Sequence, residues 1–416
     1  VAAAGLALAV STAVMAPATE AQAQGMRMRT GMGGPMGGGT PTLSRRSVEA
    51  YGRILQLDAE QKEAVQLLAD GFRATLSDLE KDVEGKINKL QEDAQDEGWG
   101  VFQREMPKII GEMTEKQQRA EEQFISDVKA LLNDEQMGRW PAVERHRRRD
   151  LFLRVGMVSG AGVDLWTAHD RIMQRERPEG ETPAVAPENA EQVREIIDRY
   201  EMDMDRHLVE MERKYREDLR TMSEGTENMF DMQRMQDRLK AYAEIGVRMR
   251  NLNRDTVRKL EPLYSAEAAS ALREEFNSRA YPRIYRASVP SRLYEAALKL
   301  GDLTPEQREA VEKAKADYVR AAEPLNEAWA RATDAAEETG GGTWGVMMQN
   351  MGGMGGEGGG NKELNDARRA RRTLDQQAQE TLMELLTPEQ KKQMPSADSM
   401  RENPWEAMMP VEEVEE

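Results

Sequence analysis

The chain has no cysteine in 416 residues, which excludes disulfides, thiol chemistry and the thiolate-rich sites of zinc and iron–sulfur proteins. Histidine is almost as scarce. His146, His169 and His207 are the only three, they fall in separate segments, and none has a partner at i+3 or i+4 that makes a metal or general-base motif. There is no P-loop, dinucleotide-binding glycine pattern or nucleophile elbow either. The sequence therefore points to a protein that is not an enzyme, with no catalytic residues and no cofactor. Acidic pairs such as Asp203 with Asp205 read as solvated helix faces. Aromatic residues make up only 5% and hydrophobic residues 39%, against 32% charged, which argues against one large compact core and for long helices with water-facing sides. Basic residues are outnumbered, and a formal charge of -17 disfavours nucleic acid as a partner, because binding phosphates takes an excess of Lys and Arg.

The one apolar run of note opens the chain, "VAAAGLALAVSTAVMAPATEAQAQG". It is shorter than the ~20 residues that span a bilayer, and it ends on Ala21-Gln22-Ala23, the small-x-small pattern of a secretory cleavage site. Residues 1–23 are thus expected to be a signal peptide, with no membrane span after its removal. That places the mature protein in the periplasm or another extracytoplasmic compartment of a bacterium. Residues 24–46 read as a Gly/Met-rich disordered linker and residues 396–416 as an acidic disordered tail.

Between these segments one short motif recurs. "LTPEQ" occurs at Leu303–Gln307 and again at Leu386–Gln390; "LDAEQ" lies at Leu57–Gln61 and "LNDEQ" at Leu132–Gln136. Weaker copies are "ENAEQ", with Asn189 and Gln192, and "YSAEA", with Ser265. Each is a helix start: Asp58, Asn133, Asn189, Ser265, Thr304 and Thr387 are good N-cap types, and in all but the Ser265 copy a Gln three residues on completes a capping box. The capping motifs come in pairs. Gln61 and Gln136 are 75 residues apart, Gln192 and Ala268 are 76 apart, and Gln307 and Gln390 are 83 apart, so the chain reads as three tandem units.

Inside each unit apolar residues recur at steps of three and four. In the first, Val65, Leu68, Phe72, Leu76, Leu79, Val83, Ile87 and Leu90 form one stripe, and Met106, Ile110, Met113, Phe124 and Val128 a returning one, with the break at "DEGWGVF", Asp96 to Phe102. The third goes out through Val311, Ala314, Tyr318, Ala321, Leu325 and Trp329, with a kink expected at Pro324. The predicted fold is all-α and elongated: three tandem long antiparallel helical hairpins joined by short connecting helices, at 47–162, 163–290 and 291–395. The segment "GGGTWGVMMQNMGGMGGEGGG", residues 340–360, aligns its Trp-Gly-Val with Trp99-Gly100-Val101 and is read as the enlarged tip of the third hairpin.

An exported, helical, cysteine-free chain with paired L-T-x-x-Q motifs resembles the Spy/CpxP-like periplasmic stress proteins. The third unit matches that motif in full, and the first keeps Leu57, Gln61, Leu132 and Gln136. The resemblance implies an ATP-independent chaperone or envelope-stress factor on an α-helical hairpin, with unfolded or stress-exposed proteins as partners and self-association as a homo-oligomer. Arg145, Arg147, Arg148, Arg149 and Arg154 are the residues expected to attract acidic clients, weighed against a plain solvated charged face. The alternative is a soft-metal, copper-type stress protein, with Met347, Met348, Met351 and Met354 as thioether ligands. A structural or assembly spacer is the third reading.

Overall fold

The computed structural model describes residues 43–153, 158–175, 181–223, 232–340, 361–396 and 399–400. Residues 1–23, expected to be a signal peptide, Met347, Met348, Met351 and Met354 in the segment read as a hairpin tip, Arg154 and residues 401–416 lie outside them. Among the described residues the structure is all-α, with a single isolated bridge between Val185 and Tyr264 and no strand.

Helix α1 (Arg45–Leu55) starts from Ser44, whose side chain accepts from the Ser47 amide, so Arg45 and Arg46, read from sequence as linker, already form its first turn. Next come α2 (Ala59–Glu97) and α3 (Trp99–Ala130), parted only at Gly98. Its φ of 92° lies where a side chain would be strained, so glycine lets the chain reverse there. Thirty-nine residues make α2 about 58 Å long at 1.5 Å per residue. The two helices are antiparallel, since Gln61 meets Gln136, Phe72 stacks on Phe124 at 5.2 Å, and Lys86 reaches Glu112 at 2.7 Å. After α4 (Asp134–Phe152) and α5 (Leu165–Gln174), a second long pair follows, α6 (Ala190–Ser223) and α7 (Met232–Leu260). The short helices α8 (Ala266–Ala280), α9 (Pro282–Tyr285) and α10 (Val289–Leu298) lead to a third pair, α11 (Pro305–Gly340) and α12 (Lys362–Leu385), and then α13 (Pro388–Gln393).

The apolar stripes face inward within each pair. Val65, Phe72, Leu76, Leu79, Val83, Leu90, Met106, Ile110, Phe124 and Val128 are buried, as are Val193, Ile197, Tyr200, Met204, Leu208 and Met211 of the second pair. One register correction falls in the third. Ala321 is exposed and Ala322 buried, because after Val311 and Tyr318 a step of four, not three, keeps the stripe on the face of a 3.6-residue helix. Pro324 lies inside α11 without ending it.

Short helices join the pairs. Helix α4 packs on α1 and α6, α8 packs on α5 and α7, and α9 and α10 pack on α11. The largest apolar cluster centres on the second pair and takes in Phe152 and Leu153 at the end of α4, Leu272 and Phe276 of α8, and Ala330 of α11.

Candidate functional site

The paired Gln motifs meet in space. Gln61 Nε2 donates to Gln136 Oε1 at 3.0 Å while Gln136 Nε2 donates back to Gln61 Oε1 at 2.8 Å. Each oxygen also accepts from its own cap backbone, Asp58 N at 3.2 Å and Asn133 N at 3.0 Å, and Gln61 Nε2 reaches the Leu131 carbonyl at 2.7 Å. The third pair repeats this clasp with Gln307 and Gln390, at 3.1 and 3.2 Å, reaching the Leu385 and Asp302 carbonyls. Leu57 and Leu386 are buried beside the clasps, while Leu132 and Leu303 pack at the edges of the same clusters. The motif thus does two jobs: Thr, Asp or Asn starts each helix locally, and Gln ties the two starts of a pair together.

The second pair closes differently, and Asn189 corrects the sequence reading. It does not cap a helix, because Pro187 with its preset φ begins a 3-10 turn earlier, at Pro187–Asn189. Its amide instead donates to the Leu263 carbonyl at 3.1 Å. Ser265 caps α8 as expected, accepting from Ala268 N at 3.3 Å, while its own amide donates to Ala184 O at 2.9 Å. Gln192 is exposed. A short piece of backbone pairing around Val185 and Tyr264 stands where the other pairs have a Gln–Gln clasp.

The expected client-binding arginines are also placed elsewhere than on an open face. Arg145 and Arg149 donate to Glu201 at 3.1 and 2.7 Å, Arg148 holds Asp205 through two bonds of 2.7 and 2.9 Å, and Arg147 pairs with Glu121 and Glu144. The Arg149 side chain is only 3% exposed and lies 5.0 Å over Trp166. The reason is register: Glu201 and Asp205, four residues apart on α6, lie on one face of that helix, where Glu201 takes Arg145 and Arg149 and Asp205 takes Arg148. Asp205 is correspondingly not a solvated carboxylate. The cluster cements the first helix pair to the second.

His146 sits in the same region, against Tyr51 and Trp166, with Nε2 3.5 Å from Asp150. Burial depresses its pKa, Asp150 opposes that and Arg149 adds to it; burial likewise depresses His169. Folded pKa values below the unfolded value of about 6.5 mean that the unfolded chain takes up more protons as pH falls. The stability tied to the neutral imidazoles is complete above about pH 6.5 and is lost as pH drops from there through the folded values. The urea midpoint is therefore expected to fall between pH 7.5 and pH 5.5, and to fall less in the His146→Gln/His169→Gln double variant. An identical fall in both proteins would remove these histidines as its source.

A third polar assembly joins the second and third pairs. Arg250, whose side chain is 1% exposed, donates to Asp334 at 3.1 Å and pairs with Glu338; Arg254 pairs with the other Asp334 oxygen, and Tyr281 donates to Asp334 at 2.8 Å. Buried Glu337 accepts from both the amide and the hydroxyl of Ser159 at 2.8 Å.

None of these assemblies faces solvent with unsatisfied chemistry. One surface does. A groove of about 600 Å³ lies between the 282–292 segment and the side of α12. Ile284, Val289, Pro290 and Trp329 give it an apolar lining, and Arg283, Arg286 and Arg372 stand around it. Arg371 in its wall is committed to Asp375, Asn326 and Tyr318. Arg283, Arg286, Arg368 and Arg372 meet no carboxylate within salt-bridge range among the described residues. Their mutual repulsion is felt: burial first, then Arg283 and Arg372, push the Arg368 guanidinium below its ordinary pKa.

Comparison with family models, curated proteins and solved structures finds no match. Function therefore rests on this chain's own geometry. Among the described residues no group of three or more His, Asp and Glu is placed to hold a metal ion, and no helix is long and apolar enough to cross a membrane. Sequence reasoning missed the groove. Its only trace was the Arg368, Arg369, Arg371 and Arg372 run, which does not reveal that Arg283 and Arg286, more than eighty residues earlier in the sequence, lie across from it.

Proposed function

We propose that this is a non-enzymatic, extracytoplasmic helical protein that binds unfolded or stress-exposed polypeptide segments without ATP, and that the groove beside α12 is where it does so. The observation that carries the reading is the groove's apolar lining beneath guanidiniums that have no carboxylate partner in a chain of net charge -17. An extended segment with apolar and acidic side chains would bury the first against Ile284, Val289 and Trp329 and pair the second with Arg283, Arg286 and Arg372. Membership of the Spy/CpxP-like group is part of the proposal. It is supported by the Gln–Gln clasps, which account for why that motif occurs in pairs.

The expected result is suppression of aggregation of a heat-denatured client by the purified protein in the absence of nucleotide, with most of the effect lost in Arg283→Glu/Arg372→Glu. Both residues are exposed, so the thermal melt of that variant should match the native one. Unchanged client aggregation at several-fold molar excess of the native protein would sink the proposal. The spacer reading has its own support, since each helix pair covers most of its apolar stripe with its partner helix. Under it, the native and charge-reversed proteins would be equally inert.

A further inference from the structure

We infer that the groove beside α12 is also the docking site of this chain's own acidic C-terminal segment, residues 401–416, which competes there with polypeptide clients. The inference rests on the groove reading above for its binding site and adds the occupant.

Three observations converge on it. The first is position: Met400 lines the groove, its carbonyl accepts from Arg292 at 3.0 Å, and its side chain packs on the cluster at the foot of the third helix pair. The chain therefore enters residues 401–416 at the mouth of the groove, with an extended reach of roughly 3.3 Å per residue. The second is charge. The segment carries Glu402, Glu406, Glu412, Glu413, Glu415 and Glu416 against the single Arg401, and the groove presents three guanidiniums, those of Arg283, Arg286 and Arg372, that no described carboxylate neutralises. Of these, Arg286 is half-buried, whereas the half-buried Arg148 and Arg254 are matched to carboxylates, Asp205 and Asp334. The third is that charge alternates with apolar bulk in the segment: Trp405, Met408, Met409 and Val411 suit a lining of Ile284, Val289, Pro290 and Trp329. Being tethered at the groove mouth, the segment acts at an effective concentration in the millimolar range. Weak contacts thus suffice for occupancy, and a client must bind more tightly to displace it.

The absence of native cysteine makes a direct test clean. In the full chain, Ala287→Cys in the groove wall is paired with Ala407→Cys in the segment. Lys391→Cys with Ala407→Cys serves as a control at an exposed site just before the segment. Under mild oxidation the Ala287 pair is expected to form its intramolecular disulfide at least tenfold faster than the Lys391 pair. That advantage should disappear in 1 M NaCl or with Arg283→Glu/Arg372→Glu. Equal rates for the two pairs, or an advantage indifferent to both salt and charge reversal, would overturn the inference.

Client assays on the same proteins separate the two claims. With the disulfide closed, suppression of aggregation should be lost and then recovered on reduction. If the disulfide shows no preference while client binding still depends on Arg283 and Arg372, the docking inference falls and the groove reading stands. If it forms fast and salt-sensitively but no client is ever protected, the function falls and the docking stands.

Discussion

Replacing Asp334 with alanine is expected to be among the most damaging single changes in this protein, lowering unfolding free energy by about 3–5 kcal/mol. Asp334 accepts from Arg250 at 3.1 Å, from Tyr281 at 2.8 Å and from Arg254. Arg250 cannot turn to water, since its side chain is 1% exposed, and with Asp334 gone its one remaining anion is the half-exposed Glu338. Its Nε already has no partner. Much of the cost is thus the desolvated cation left behind, and less the net worth of the pair. Two comparisons isolate it. Asp334→Asn keeps an acceptor and should cost less, and the Arg250→Met/Asp334→Leu double variant should recover much of the loss because no buried charge remains. Urea unfolding of the four proteins measures this. A double variant no better than Asp334→Ala would show that packing, and not the stranded charge, is what is lost.

The second large effect is an asymmetry among the three helix pairs. Gln390→Ala removes four hydrogen bonds, to Thr387 N, the Asp302 carbonyl and both ends of the Gln307 amide, at a site where Gln390 is 3% exposed. At about 0.5–1.5 kcal/mol per bond, partly offset by water reaching the half-exposed Gln307, the expected loss is roughly 2–4 kcal/mol. Gln136→Ala in the first pair should behave alike. Gln192→Ala, the only motif Gln of the second pair and the counterpart by sequence of Gln61 and Gln307, should change stability by less than about 0.5 kcal/mol, because Gln192 is exposed and the second pair closes through backbone at Ala184 and Ser265. Amide exchange gives a local reading of the same contrast: protection of the first turns of α11 and α13 should fall in Gln390→Ala, while α6 is unmoved in Gln192→Ala. Equal losses at Gln192 and Gln390 would refute the distinction between the two kinds of closure.

What could be read from sequence was whatever depends on residues close together in the chain. Caps at Asp58, Asn133, Ser265, Thr304 and Thr387 are contacts across three residues. The stripes from Val65 to Leu90 and from Val193 to Met211 are a property of one helix, and the reversal at Gly98 needs only the glycine's own freedom. Even the errors of this kind were local ones: Pro187 starting a turn ahead of Asn189, and Ala322 in place of Ala321 once the period of 3.6 is followed strictly.

That this chain is helical, and where most of its helices begin, could be read from the sequence, because backbone capping and hydrophobic periodicity act within a turn or two. Only the tertiary structure decided what the polar residues do. Whether Gln61 touches Gln136, whether Arg148 finds Asp205 or water, and whether Arg283 comes to lie across from Arg372 all depend on the register of one helix against another. A shift of one residue turns a helix by about 100° and exchanges a buried ion pair for a solvated face. Periodicity identifies the apolar side of a helix. It carries no information about which charge on its flank will meet a partner, and in this protein that difference separates the arginines that hold the fold together from those left facing the groove.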